Sequence, residues 1–200
     1  MRHTDLFQIA VLALFLLVFG GRTLAMTLQG TRVIVLGKGK RLPGAVLELL
    51  FLIGLAVWCW EVASEALHLD RHLFPALLYE PLFESTVLAW VGVAAVAGGF
   101  LLFIWALRSF GRSWRVGIDT RNAGALVTSG AFSLSRNPIF LFIDLYFWGT
   151  ALIWPNPFFL AFALITAVGI HYQILQEERF LSNRYGADYR AYAAQVRRYL

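Results

Sequence analysis

The sequence predicts an all-α fold: an integral membrane bundle of about five transmembrane helices with a short cytoplasmic C-terminal amphipathic helix. Three observations carry this. Of 200 residues, 59% are hydrophobic and only 14% charged, against roughly a quarter charged in a soluble domain. Apolar runs of about 15 to 22 residues recur, long enough to cross a bilayer as helices. The charges are gathered between those runs, and their sign alternates. Residues 1–200 are expected to form a single membrane domain, with a three-helix part over 1–110 and a distinct region over 111–200.

The first run, Leu6–Gly20, is short, but Arg22 can snorkel and let the helix continue towards Leu28. No small-residue cleavage site follows it and four further runs do, so it is read as a span and not as a signal peptide. The second, Pro43–Trp60, contains Cys59, the single cysteine, which excludes an intrachain disulfide and a cysteine metal site. The third is Thr86–Leu107. The fourth and fifth, Pro138–Trp154 and Pro157–Ile174, are separated by little more than the turn chemistry of Trp154-Pro155-Asn156-Pro157. They should form a tight antiparallel hairpin, which brings Arg136-Asn137-Pro138 at one open end towards Gln173–Glu178 at the other. Beyond Asn183 the chain breaks at Gly186 and resumes with Tyr185, Tyr189, Tyr192 and Val196 at spacings of one helical face. This reads as a flap or interfacial helix, fit to lie on headgroups or to cover a pocket.

Charge sets the orientation. Arg22, Arg32, Lys38, Lys40 and Arg41 have no acid among them, whereas Glu61, Glu65, Asp70, Glu80 and Glu84 face one arginine, Arg71. The connection over Arg108–Arg136 and the tail are again arginine-rich. By the positive-inside rule the first and third connections and the C-terminus are cytoplasmic and the N-terminus external, in a plasma or bacterial inner membrane. The net charge of +5 lies beside spans, where anionic headgroups explain it better than nucleic acid. The expected partners are the lipid bilayer and a lipophilic or amphiphilic small molecule, with no nucleic acid and no metal.

Several polar groups sit where a membrane protein would not place them idly. Glu177 and Glu178 close the fifth run, where acids oppose the helix dipole and invite a cation; pairing with Arg136, Arg179 or Arg184 is the plain alternative. Gln173 is one turn before Glu177 and His171 nearly two turns before Glu178, so each pair shares a face. Asp144 lies inside the fourth run, where a carboxylate is costly unless paired or protonated. His68 and His72 have a spacing used by helical metal ligands, but they fall in an outward connection and read as solvated surface. There is no Rossmann glycine turn, and Gly37-Lys38-Gly39-Lys40 lacks the spacing of a P-loop.

The C-terminal half resembles the isoprenylcysteine carboxyl methyltransferase and phospholipid methyltransferase group of integral membrane enzymes. The residues carrying the resemblance are Leu126-Val127-Thr128, Gly130-Ala131-Phe132, Arg136-Asn137-Pro138-Ile139-Phe140, Glu177-Glu178 with Leu181, Tyr185-Gly186, and Tyr189 with Tyr192, within about Trp114–Leu200. The resemblance implies S-adenosyl-L-methionine as methyl donor, bound on the cytoplasmic side. Its contacts would fall on Gly124, Ala125, Leu126, Val127, Phe132, Arg136, Asn137, Pro138, Ile139, Phe140, Glu177 and Glu178. Asn137 replaces the pattern's histidine and Phe140 its tyrosine. Gln173 takes the place of an arginine on the substrate side, which leaves nothing cationic there for a prenylcysteine carboxylate. A zwitterionic sulfonium needs a carboxylate, a cation and amide donors together, and Glu177, Arg136 and Asn137 supply them. The acceptor could be a carboxylate, thiol or amine. No base stands out, which favours a carboxylate or thiolate, with Arg136, His171 and Asp144 as catalytic candidates and the last two in reserve for an amine. A sterol-reductase-like NADPH enzyme and a non-catalytic membrane scaffold are the rival readings.

Overall fold

The computed structural model describes residues 2–29, 42–69, 71–111 and 125–200, with 42–48 and 51 described by backbone alone. Gly124, Asp70, Asp119 and most of the basic residues of the first and third connections lie outside these residues. Six α-helices are formed among the described residues: α1 His3–Leu28, α2 Leu42–Ala66, α3 Thr86–Phe110, α4 Pro138–Ile153, α5 Pro157–Tyr185 and α6 Ala187–Gln195. Three of them, α1, α3 and α5, are long and apolar enough to cross a membrane, and α4 is a shorter apolar helix. The chain divides into two compact units, Met1–Ala76 with a short later segment, and Leu77–Ser113 with Gly124–Leu200.

In the first unit α1 does continue past Arg22 to Leu28. Its start is tied down by Asp5, whose carboxylate accepts the Arg2 backbone N–H at 2.7 Å and meets His68 Nε2 at 3.1 Å. On α2, the fully buried Glu61 meets His72 Nδ1 at 2.7 Å and accepts the Leu73 N–H at 2.8 Å. The two histidines are therefore not simply solvated surface. Each faces a carboxylate that burial would otherwise leave uncompensated.

The second unit is built on close backbone contact between α3 and α4. A Cβ on Gly92 would lie 2.5 Å from the Gly149 carbonyl oxygen, and one on Gly149 would lie 2.6 Å from Val96. Absence of side chains here lets the helices approach as small residues do in membrane bundles. Phe103 and Phe142 stack beside this seam at 4.7 Å. α4 is enclosed on nearly all sides. Its 16 residues span about 24 Å, short of a hydrocarbon core of about 30 Å, which is tolerable where the flanking backbone is held by protein.

The predicted hairpin forms. Asn156, buried in the turn, accepts the Phe159 N–H at 3.0 Å and caps α5, while Pro157 takes the first helical position, where its missing N–H costs nothing. Phe147 and Phe162 stack across the two arms at 5.5 Å. α5 runs on for 29 residues to Tyr185, well beyond the apolar run. Glu177 and Glu178 thus lie two turns inside the helix and not at its C-terminus, so the dipole argument does not apply to them.

Candidate functional site at the open end of the hairpin

The site is assembled by three chain segments converging where α4 begins. The first approaches α4 from Ala125. Gly130 adopts φ +65°, and a Cβ there would collide with the Ser109 hydroxyl of α3; both conditions select glycine. Ser109 Oγ accepts the Ala131 N–H at 3.0 Å and donates to the Trp105 carbonyl at 2.9 Å. Phe132 is thereby buried, edge-on to Phe110 at 4.5 Å. Leu126 and Val127 pack against the same cluster, and Ala125 is exposed.

The second segment is α6. After the break at Gly186 (φ +55°), Tyr189 and Tyr192 are buried on Phe132, with Tyr185 and Val196 packed beside them. The tyrosine stripe therefore faces the protein, covering the 126–132 strip. The Tyr192 hydroxyl donates to the Phe132 carbonyl at 2.7 Å. Burial, with Tyr189 alongside, pushes its phenol up to about 12.

The third contact joins the Arg-Asn-Pro turn to the tail. The Arg136 N–H donates to the Arg197 carbonyl at 3.0 Å. The Arg198 carbonyl accepts from Asn137 Nδ2 at 3.0 Å and from Ser135 Oγ at 3.2 Å. Pro138 and Asn137 are buried, and Ile139 and Phe140 half-buried, in the first turn of α4. Glu178 clamps both sides: its Oε1 meets Arg136 Nη2 at 3.1 Å, and its Oε2 meets Arg198 Nη2 at 2.7 Å. Arg198 Nε adds a bond to Oε1 at 3.1 Å, and this hydrogen bonding raises the Arg198 pKa further above its ordinary value.

Not all hydrogen-bonding capacity at the turn is used. Arg136 Nε and the Tyr189 hydroxyl are shielded from solvent with no partner among the described residues. Tyr189 lies within electrostatic reach of Glu178, Arg136, Glu177 and Arg198, and its phenol is raised chiefly by burial and then by Glu178. Glu177 and Gln173, one turn apart on α5, have no hydrogen-bond or ion-pair partner among the described residues. Orphaned buried groups beside a half-buried carboxylate suit a polar ligand with both charges, because leaving such groups unmet costs about 1–3 kcal/mol each.

Of the predicted site residues, the structure brings Arg136, Asn137, Pro138 and Glu178 together directly. His171 and Asp144 lie nearby on the hairpin: His171 Nδ1 is 2.7 Å from the Tyr199 hydroxyl, and Asp144 is within electrostatic reach of both. Sequence reasoning missed Tyr199 and the orphaned hydroxyl of Tyr189. The first follows an arginine pair that reads as headgroup binding, and the second reads as one member of an apolar stripe.

Fold and site define an integral membrane protein whose helical hairpin presents a charged site at its open end. Comparison with known proteins gives the class its family. The phospholipid methyltransferase family pattern matches residues 87–188, just over half of the chain and all of the hairpin. Two proteins named probable protein-S-isoprenylcysteine O-methyltransferase, from Oryza sativa subsp. indica and subsp. japonica, are each 30% identical over 129 residues, covering 63% of this chain and 68% of theirs. No solved structure matches the chain. The chain belongs to the phospholipid methyltransferase family, and with it to the S-adenosylmethionine-dependent membrane methyltransferases. The reductase and scaffold readings fall away.

Proposed function

We propose that the protein transfers a methyl group from S-adenosylmethionine to a membrane-embedded or amphiphilic acceptor at the cytoplasmic face of the membrane. The observation that carries this is the convergence of Arg136 and Asn137 with Glu178 and Arg198, beside an Arg136 Nε and a Tyr189 hydroxyl that have no hydrogen-bond partner among the described residues, with Glu177 within electrostatic reach of Tyr189. When bound, the cofactor supplies an electrophilic methyl on a sulfonium. Arg136 would meet its carboxylate, and Glu177 its ammonium or ribose hydroxyls. Phe132, Pro138, Ile139 and Phe140 would line the apolar side, with the backbone from Ala125 to Val127 completing the site; the expected contact at Gly124 lies outside the described residues. Gln173, on the Glu177 face of α5, would look towards the acceptor. The chain's own contribution is alignment of donor and acceptor for in-line displacement, together with exclusion of water by α6.

Calorimetric titration of the purified protein in detergent tests this. S-adenosylmethionine should bind with a 1:1 stoichiometry and NADPH should not. Absence of S-adenosylmethionine binding by a well-folded sample would overturn the reading.

A further inference from the structure

The contact between His171 and Tyr199 is not explained by cofactor binding. Tyr199 follows Arg198, the residue held by Glu178, and its hydroxyl lies 2.7 Å from His171 Nδ1 with the two rings 6.3 Å apart and nearly parallel. Nearby, Asp144 of α4 keeps one carboxylate oxygen shielded and without a hydrogen-bond partner among the described residues, within electrostatic reach of His171. Asp144, His171 and Tyr199 thus gather a carboxylate, an imidazole and a hydroxyl at the edge of the site described above, with the imidazole and hydroxyl in contact and the carboxylate within electrostatic reach of both.

The pair is also placed for access. Leu164, Ile165, Val168 and Tyr172 of α5 are all at least half exposed, and their spacing puts them on one face of the helix. His171 is exposed on the same face. An amphiphile whose chain lies along that apolar stripe would bring its polar end to the imidazole and phenol.

We propose that Tyr199 and His171, oriented by Asp144, form the proton-accepting relay for methyl acceptors whose attacking atom carries a proton, so that the acceptor is an amine or hydroxyl amphiphile. This rests on the methyltransferase reading. In the step, the acceptor atom gives its proton to the Tyr199 oxygen while the Tyr199 proton passes to Nδ1 of His171. The electron pair left on the acceptor forms the new bond to the methyl carbon. The carbon–sulfur bond breaks with its pair retained by sulfur, and the positive charge formerly on the sulfonium ends as imidazolium beside Asp144. Tyr199 acts here as the catalytic group, His171 as the proton store, and Asp144 as the positioning residue. The phenol is held above its ordinary value by burial and by Asp144, so it stays protonated and able to relay at neutral pH. The charged and titratable groups facing the relay are Asp144 from α4, Glu178 from α5 and Arg198 from the tail.

The test has two parts. Tritiated methyl transfer from S-adenosylmethionine is measured for wild type, Tyr199→Phe, His171→Asn and Asp144→Asn. The acceptors are phosphatidylethanolamine, a long-chain alcohol and N-acetyl-S-farnesylcysteine in detergent micelles. The relay predicts transfer to the amine or the alcohol, a kcat about 100-fold lower in Tyr199→Phe with KM little changed, and loss of the acid limb of the pH profile in His171→Asn. S-adenosylmethionine affinity should stay within about twofold. Transfer confined to the farnesylcysteine carboxylate, or a neutral Tyr199→Phe, overturns the relay while leaving the methyltransferase reading intact; absence of cofactor binding by wild type overturns both. The second part needs no acceptor. Nitrogen NMR of the four histidines should show His171 protonated at Nε2 with Nδ1 accepting a hydrogen bond, a signature that Tyr199→Phe removes. An Nδ1–H tautomer in wild type would overturn the relay even if no acceptor were turned over.

Discussion

Glu177 and Glu178 are consecutive on α5, yet among the described residues only Glu178 is paired, holding Arg136 at 3.1 Å and Arg198 at 2.7 Å. A step of about 100° around the helix separates a structural carboxylate from one with spare capacity. Glu177→Gln keeps size and removes charge. It should weaken S-adenosylmethionine binding about 10- to 150-fold, the equivalent of a charge-assisted hydrogen bond of roughly 1.5–3 kcal/mol, with thermal stability unchanged. Calorimetry beside a melting curve checks both; unchanged affinity in a well-folded variant would return Glu177 to a structural role.

Glu178→Gln should do the reverse in kind. It leaves Arg136 and Arg198 without their common anion, so residues 196–200 should exchange amide hydrogens faster and become protease-sensitive. The loss should be about 1–3 kcal/mol, below that of a fully buried pair because Arg198 is about one-third exposed. Unaltered exchange in the tail would show that the clamp carries no such role.

Alkali should loosen the α6 contact through Tyr192. Its phenol donates to the Phe132 carbonyl and titrates near 12 when folded, against about 10 in an unfolded chain. The folded state keeps the proton longer, so its contribution is complete below about 10 and is lost as pH rises through about 12. The stability difference between wild type and Tyr192→Phe, measured by denaturation in detergent, should shrink over that window. A difference constant with pH would refute the linkage.

The α3–α4 seam gives a packing contrast. Gly149→Leu drives its Cβ into Val96 and the Gly92 backbone, whereas the Cβ of Gly169→Leu meets nothing within 4 Å and Gly169 is exposed. The first should lower stability by at least about 1–3 kcal/mol and the second should be near neutral. Equal melting temperatures would mean that the helices are not in close contact.

Orientation is tested by labelling. In a Cys59→Ala background, cysteines replacing Gln29 and Glu84 should react from opposite sides of the membrane. Same-side labelling would end the five-span arrangement.

Much of this architecture is legible in the sequence because lipid imposes strong rules. Runs of apolar residues, a Pro-Asn-Pro turn and a glycine before a tyrosine stripe each have few structural solutions, and α3, the α4–α5 hairpin and α6 fall where those signals put them. Helix ends are less legible. Nothing in Gln173–Tyr185 is apolar enough to mark a span, yet nothing in it breaks a helix, so α5 continues. The site was readable as far as single residues announce their chemistry: Arg136, Asn137 and the glutamates are out of place in an apolar chain. Pairings across long separations were not. That Glu178 and not Glu177 takes Arg136, that Arg198 joins it, and that Tyr199 reaches His171 depend on how the tail folds back. Asp5 and Glu61 were hidden for the same reason, each looking like an ordinary surface acid until a histidine from the loop after α2 closes on it.

The two arms of the hairpin act as a ruler for the site. From Pro157 to Glu177 α5 climbs about 30 Å, while α4 descends about 22 Å from Ile153 to Pro138. The overhang of about 8 Å is close to the reach of two extended residues, Asn137 and Arg136, beyond the start of α4. The height at which the glutamates meet the turn is therefore set by counting from Asn156 at the opposite end. Removing one residue from α5 between Phe159 and Ile170 would lower Glu177 by about 1.5 Å and rotate it by about 100°, bringing Glu178 to the position of Glu177 and Arg179 to the position that holds Arg136 and Arg198, so the clamp would be lost without changing any residue of the site.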